Sequence, residues 1–312
     1  MSPHFKPHHI FGLSTLAVIT TAASVVTYNN NSRNIQPSSE KQKPPGTSSN
    51  INSQPKMAVT TPFQTLFAVP MHCEGCAKDI SGALQKLRGI TKVEPNVKEQ
   101  LVTVEGTAPP SAIVDAIQAT GRDAILRGSG TSNSAAVSIL ETYYHRHLSE
   151  TTPSETPTGS WINERLVRGL ARLVQVSPTQ TVIDLTLRGV PAGVYRASIR
   201  EYGNLAAGAT STGPIWDKGR GDLGKVEVDE QGKGSVFLSS EFKVWEVIGH
   251  ALAVSNSQAE GEDGAGLKND EGTVVGIIAR SAGVWDNDKT VCSCTGKTLW
   301  EERRDEVGKG ML

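Results

Sequence analysis

Phe63-Gln64-Thr65-Leu66-Phe67-Ala68-Val69, running through Pro70 into Met71-His72-Cys73-Glu74-Gly75-Cys76, is the stretch that decides how the folded part of this chain begins. The first seven residues alternate as a strand does, sending side chains to opposite faces in turn. The loop after them carries two thiols in CxxC spacing. Ala77 to Arg88 then sets Ile80, Leu84 and Leu87 on one helical face, and Gly89 stops the helix. Ile90 to Asn96 and Gln100 to Glu105 read as strands joined by a short polar turn. Pro109-Pro110-Ser111 opens a second helix with Ile113, Val114 and Ile117 turned inward, and Asp123 to Leu126 is a short closing strand. The order βαββαβ over 58–128 is that of a split βαβ, ferredoxin-like α+β domain.

Beyond it, Arg127 to Ser134 is a Gly/Ser-rich link, Ala136 to Leu148 reads as a helix or a strand, and Thr151 to Ser160 as a soft loop. From Val167 to Ala282 the chain becomes short strands and Gly-rich turns: Gly169 to Val176, Thr181 to Leu187, Gly193 to Glu201, Phe237 to Ser239, Gly249 to Ser255 and Gly272 to Ala279. Such spacing predicts an antiparallel, all-β Greek-key sandwich or barrel, assigned to 129–283. Residues 284–312 form a short charged segment around Cys292-Ser293-Cys294. At the other end, residues 1–57 stand apart. Ile10 to Tyr28 is uncharged and about the length of a membrane span, but Ser and Thr dilute it. A secretory signal, an anchor and a mitochondrial targeting segment all remain open. Residues 29–56 are polar enough to be a disordered spacer, and Met57 is an alternative start.

Lys and Arg number 31 against 32 Asp and Glu, for a formal net charge of −1. With no block of like charge, nucleic acid is not an expected partner, and a membrane is one only if residues 10–28 act as an anchor. All 4 cysteines sit in the two short motifs, so none is left for a disulfide framework, and a compartment that keeps or restores thiols is expected. Soft, paired thiolates suit Cu(I), and they equally suit thiol–disulfide exchange. A thiol at a helix N-terminus meets unpaired N–H groups, which favour thiolate. Gly75 is expected to permit a tight turn that aims both sulfurs at one metal. Zinc pairs and thioredoxin-like proteins share the CxxC pattern, but the aromatic residue that usually precedes the first thioredoxin cysteine is absent. Cys292 and Cys294 can chelate Cu(I), or close a strained disulfide that is easily passed on.

Met71-His72-Cys73-Glu74-Gly75-Cys76 between a strand and a helix resembles the metal-binding domain of copper chaperones and copper-transporting ATPases. The middle region resembles Cu,Zn superoxide dismutase. Thr212-Gly213-Pro214 and Gly221-Asp222-Leu223-Gly224 match turns of that family, and Gly193-Val194-Tyr195-Arg196-Ala197-Ser198-Ile199-Arg200-Glu201 aligns with its ligand-bearing strand. The resemblance places its copper-ligand histidines on Ser198, Arg200, Ile215 and Ser255. Asp222 is left as the single matching zinc ligand and reads as a turn residue. The family's disulfide cysteines fall near Ala209 and Gly272. The fold is therefore expected without its active site, and dismutase activity is not expected. Ala279-Arg280-Ser281-Ala282-Gly283-Val284-Trp285, then the CxC, then Trp300-Glu301-Glu302-Arg303 resemble the C-terminal segment of the fungal copper chaperones for superoxide dismutase.

That resemblance implies a non-enzymatic metallochaperone that delivers Cu(I) to Cu,Zn superoxide dismutase and promotes its disulfide. Cys73 and Cys76 would acquire Cu(I), while Cys292 and Cys294 would transfer it and exchange thiols. Cu(I) is the metal expected, and zinc is not. The barrel would form a heterodimer with the target through a surface that can also serve a homodimer, with Trp216 and Arg280 as docking residues. A cytoplasmic location is expected, with a mitochondrial intermembrane-space fraction if the N-terminal extension targets it. The alternative is a metal-independent thiol–disulfide oxidoreductase acting on a dismutase-like partner.

Overall fold

A βαββαβ run opens the folded chain in the computed structural model, which describes residues 59–144, 165–256, 266–287 and 296–308. Strand β1 (Phe63–Ala68), helix α1 (Glu74–Leu84), β2 (Ile90–Asn96), β3 (Leu101–Gly106), α2 (Pro110–Gln118) and β4 (Ile125–Ser129) build a four-stranded antiparallel sheet in the order β2-β3-β1-β4. The helices pack on one face of this sheet. Ile80 and Leu84 from α1 meet Ile113 and Ile117 from α2 over Phe67, Val69, Val102 and Val104. Pro110 sits in the first turn of α2, where its missing N–H costs nothing.

Three boundaries differ from the sequence reading. Helix α1 starts at Glu74 rather than Ala77, because Cys73 adopts an extended cap conformation (φ −158°, ψ 166°) and the helix begins straight from it. The helix ends at Leu84, and Gly89, at φ 89°, turns the chain into β2. The expected Gly/Ser link from Arg127 to Ser134 is shorter than expected and runs only from Gly130 to Ser134. Arg127, Gly128 and Ser129 complete β4 against β1, and Ala135 already begins the next strand.

The second domain is a closed barrel. Strands β5 (Ala135–Thr142), β6 (Val167–Gln175), β7 (Thr181–Arg188), β8 (Gly193–Ile199), β9 (Asp222–Val228), β10 (Lys233–Ser240), β11 (Ala251–Asn256) and β12 (Val274–Ile277) join in the order β5-β6-β7-β10-β9-β8-β11-β12. Pairing of β12 back to β5 closes the ring and removes both free edges. Short strand β13 (Ala279–Ser281) adds to the other end of β5. The segment after Ala136 is thus a strand, not a helix, because Ala136 and Leu140 point into the barrel core beside Leu173, Ile183, Tyr195, Leu252 and Val254. Asp222 heads a full strand rather than only a turn. Buried Val226 and Val228 alternate with exposed Lys225 and Glu227, the period-2 signal, while buried Leu223 lies at a register shift in the pairing with β8. Between strands lies the one-turn helix α3 (Val244–Val247), and α4 (Leu299–Gly308) closes the described chain.

The two domains share a joint. Asp184 of β7, buried under the first turn of α2, accepts hydrogen bonds at 2.7 Å from both the N–H and the hydroxyl of Ser111. Arg172 of β6 lies 3.5 Å from the same carboxylate. The tail also packs on the first domain. Ser129 N–H donates to the Ala282 carbonyl, and Val284 N–H to the Gly130 carbonyl. A Cβ on Gly128 would lie 2.1 Å from the Gly283 oxygen, so this crossing requires glycine.

Candidate metal centre

Cys73 caps α1 and Cys76 completes its first turn, so a three-residue spacing puts both thiols on one helical face. The two sulfurs are 3.4 Å apart and both are free thiols. Cys73 is exposed and Cys76 half-buried, while Met71 is wholly buried and anchors the loop to the domain core. Gly75 does not have the role expected of it. It is helical, and a Cβ there would meet Cys73 Sγ at 3.6 Å, an ordinary contact. The extended cap at Cys73 brings its sulfur beside that of Cys76.

The residue that sequence reasoning missed is Arg122. It follows Gly121, whose φ of 80° ends the turn after α2. Its guanidinium reaches Asp79 at 3.3 Å, donates to the Thr120 carbonyl at 3.2 Å and lies near enough to Cys76 for its positive charge to favour the thiolate. The pKa of Cys76 is lowered to about 6. The largest cause is hydrogen bonding from the His72 backbone, followed by Arg122 and then Cys73. Cys76 is therefore mostly thiolate at neutral pH. Arg122 lies 46 residues from Cys76 in the chain, and no local pattern marks it; only the packing of α2 beside α1 brings the two together.

At the positions aligned with dismutase copper ligands, Ser198, Arg200, Ile215 and Ser255 are all buried. Arg200 is 1 % exposed. Its Nε donates to the Gly213 carbonyl at 3.1 Å, and Nη1 reaches the Ser198 hydroxyl at 3.4 Å. A guanidinium thus stands among these positions. Asp222 pairs with Arg196 at 3.0 Å and accepts the Gly224 N–H at 2.9 Å, both structural contacts. Among the described residues, no three His, Cys, Asp or Glu side chains gather into a metal site. Near Ala209, where a disulfide cysteine would fall, the Asn269 amide accepts the Ala209 N–H at 2.8 Å and donates to the Ala207 carbonyl at 2.9 Å.

Of the two expected docking residues, Arg280 is exposed on β13, with Nη1 3.4 Å from the Asn133 side chain. Trp216 is a correction. It is 9 % exposed, packs edge-on against Phe242 with centroids 5.9 Å apart, and lies under the Arg220 guanidinium at 4.9 Å. Its indole is a core side chain rather than an exposed docking surface. Large apolar side chains do lie open nearby: Tyr202 and Trp245 are 55 % and 62 % exposed. The Gly249 turn ties this region together, since Gly249 N–H donates to the Ile278 carbonyl and a Cβ on Gly203 would strike the Gly249 oxygen.

Cys292 and Cys294 lie outside the described residues, as does the whole of 1–57. The described chain on either side of the CxC is tied to the first domain. Arg127 donates to the Asn287 carbonyl at 2.6 Å, and Arg303 of α4 meets Asp123 at 2.9 Å. Among the described residues, no helix is long and apolar enough to cross a membrane.

Residues 65–123 match the heavy-metal-associated domain family, and residues 167–278 match the copper/zinc superoxide dismutase family. A thiol-bearing metal-binding domain joined to a dismutase barrel in which arginine and serine stand for histidine defines the class: a metal-trafficking protein built on a dismutase scaffold. The chain is 38 % identical to the superoxide dismutase 1 copper chaperone of Saccharomyces cerevisiae, over 82 % of this chain and 100 % of that protein. It is 40 % identical to the protein of that name from Debaryomyces hansenii, over 81 % of this chain and 99 % of that one. Identity is 32 % to the human copper chaperone for superoxide dismutase, over 78 % of this chain and 90 % of the human protein. The chain belongs to the family of copper chaperones for superoxide dismutase.

Proposed function

We propose that this chain takes up Cu(I) on Cys73 and Cys76, passes it to a Cu,Zn superoxide dismutase, and promotes the target's disulfide through Cys292 and Cys294. The observation that carries the reading is the pair of free thiols 3.4 Å apart at the N-terminus of α1, in a domain seated on a dismutase barrel. Soft sulfur donors favour Cu(I) over harder ions, zinc included. The barrel recognises the target as a structural copy of its own subunit, giving a heterodimer or, without target, a homodimer. The docking face includes Arg280 with exposed Tyr202 and Trp245, while Trp216 supports Arg220 from beneath. Exchange starts from a Cys292–Cys294 disulfide: a target thiolate attacks one of its sulfurs and displaces the other as thiolate, and a second target thiolate resolves the mixed disulfide, leaving the target oxidised and the CxC reduced. The chain works in the cytoplasm, with an intermembrane-space fraction if residues 10–28 act in targeting.

Copper stoichiometry of the reduced wild type, beside the Cys73→Ser/Cys76→Ser and Cys292→Ser/Cys294→Ser variants, tests the metal reading, with X-ray absorption reporting the neighbours. Sulfur alone is expected around copper. A chain that takes up no copper when reduced, yet oxidises its partner once its own CxC has been oxidised to the disulfide, would establish the metal-independent oxidoreductase instead.

A further inference from the structure

Strands β6 and β7 carry an arrangement of charge that copper handling does not use. Their antiparallel ladder ends at the pair Gly169–Leu187, and Arg168 is the next residue of β6 and Arg188 the next of β7. Like charges close together at the end of a ladder repel one another. Arg168 Nη1 lies over Gly189, where a Cβ would approach it to 2.3 Å, and this holds its guanidinium beside the Arg188 backbone. On the far side of Arg188 the register places Lys233 of β10, which extends the row of cations to a third strand.

Both arginines line a cavity of about 870 Å³ between the thiol domain, the outer face of the barrel and α4. Its other charges are committed: Arg172 is answered by Asp184 and Arg303 by Asp123, and Glu302, the other acid on the wall, has a contact of its own. Arg168 and Arg188 make no ion pair or hydrogen bond among the described residues. Facing them, Val114, Leu126, Ile139 and Leu170 give the cavity an apolar side. The volume is that of a small-molecule site.

We propose that this interdomain cavity binds a phosphate monoester, its dianionic head bridging Arg168 and Arg188 and its organic part lying on the apolar wall. Two guanidiniums match a dianion in charge, and each offers the forked donors that suit phosphate oxygens. The bound anion would cancel the neighbouring charges of Arg168 and Arg188 and bridge the barrel to the thiol domain.

The test is calorimetric titration of the full, reduced chain in low-ionic-strength chloride buffer with phenyl phosphate, inorganic phosphate and benzoate, alongside thermal unfolding. Phenyl phosphate should bind one to one and raise Tm, inorganic phosphate should bind more weakly, and benzoate weakest. The Arg168→Gln/Arg188→Gln variant should lose roughly tenfold or more in phenyl phosphate affinity, since charge-assisted bidentate contacts are lost. Without ligand that variant should melt at or above the wild-type temperature at low salt, because the two neighbouring like charges are gone. No binding of either phosphate probe at millimolar concentration, or equal binding by wild type and variant, would overturn the proposal. Benzoate binding as tightly as phenyl phosphate would overturn the dianion assignment. Copper uptake at Cys73 and Cys76 is read separately and should be the same in both chains, so failure here leaves the copper reading standing.

Discussion

Asp184 of the barrel and Ser111 of the thiol domain are joined by two hydrogen bonds of 2.7 Å, one from the Ser111 N–H and one from its hydroxyl. The carboxylate satisfies an orphan donor in the first turn of α2 and fixes that helix, and with it the thiol site, on the barrel wall.

Ser111→Ala should therefore cost about 1.5–3 kcal/mol in denaturant unfolding, the usual worth of a hydrogen bond to a charged acceptor. Burial pushes the Asp184 pKa up, against the opposing pull of Arg172 and Ser111. With the folded value raised above the unfolded value of about 3.9, the folded chain takes up this proton first as pH falls. The group's contribution to stability is thus largest below the unfolded value and shrinks as pH rises through the interval to the folded one. Asp184→Asn should flatten that part of the stability profile, as measured by unfolding at a series of pH values.

Cys76, with its pKa lowered to about 6, should be a thiolate through the neutral range and protonate only below it. Alkylation rate against pH, followed by mass spectrometry with Cys73 changed to Ser, should show its midpoint near that value. Arg122→Met should move the midpoint upward, because one of the three leading causes of the lowered pKa is removed, while the His72 backbone contribution remains. An unchanged midpoint would assign the whole shift to the backbone. Copper uptake should weaken as pH falls below the midpoint, since protons compete for the ligand.

Loss of the first thiol pair should matter most when copper is scarce. With Cys73 and Cys76 both changed to Ser, target activation should fall steeply under copper limitation and recover in excess copper. With Cys292 and Cys294 changed, activation should fail at every copper level. Dismutase activity of the co-incubated target is the readout, and a reversal of this ordering would exchange the roles assigned to the two motifs.

Arg200 holds the barrel's vacated ligand positions by donating to the Gly213 carbonyl. Arg200→Met should destabilise the chain by about 1–3 kcal/mol, because it leaves that buried carbonyl unpaired. Arg200→His should not confer dismutase turnover, even with copper and zinc supplied, since Ser198, Ile215 and Ser255 provide no further imidazole. Activity in a chain lacking all four cysteines would contradict this.

The sequence by itself determined the order of elements, the two thiol motifs and the loss of the dismutase ligands. These are local: the alternation of Phe63 to Val69, the helical spacing of Ile80 and Leu84, and the identity of single residues at Ser198 or Arg200 can each be read within a short window. Tertiary structure alone decided what those residues meet. The extended cap that starts α1 at Cys73, Arg122 beside Cys76, Asp184 over Ser111 and the burial of Trp216 all depend on contacts between distant segments, and no periodicity encodes them. An indole looks alike in sequence whether it faces a partner or packs on Phe242. The barrel's closure, which pairs Val274 with Thr142 across more than a hundred residues, draws the line between the two.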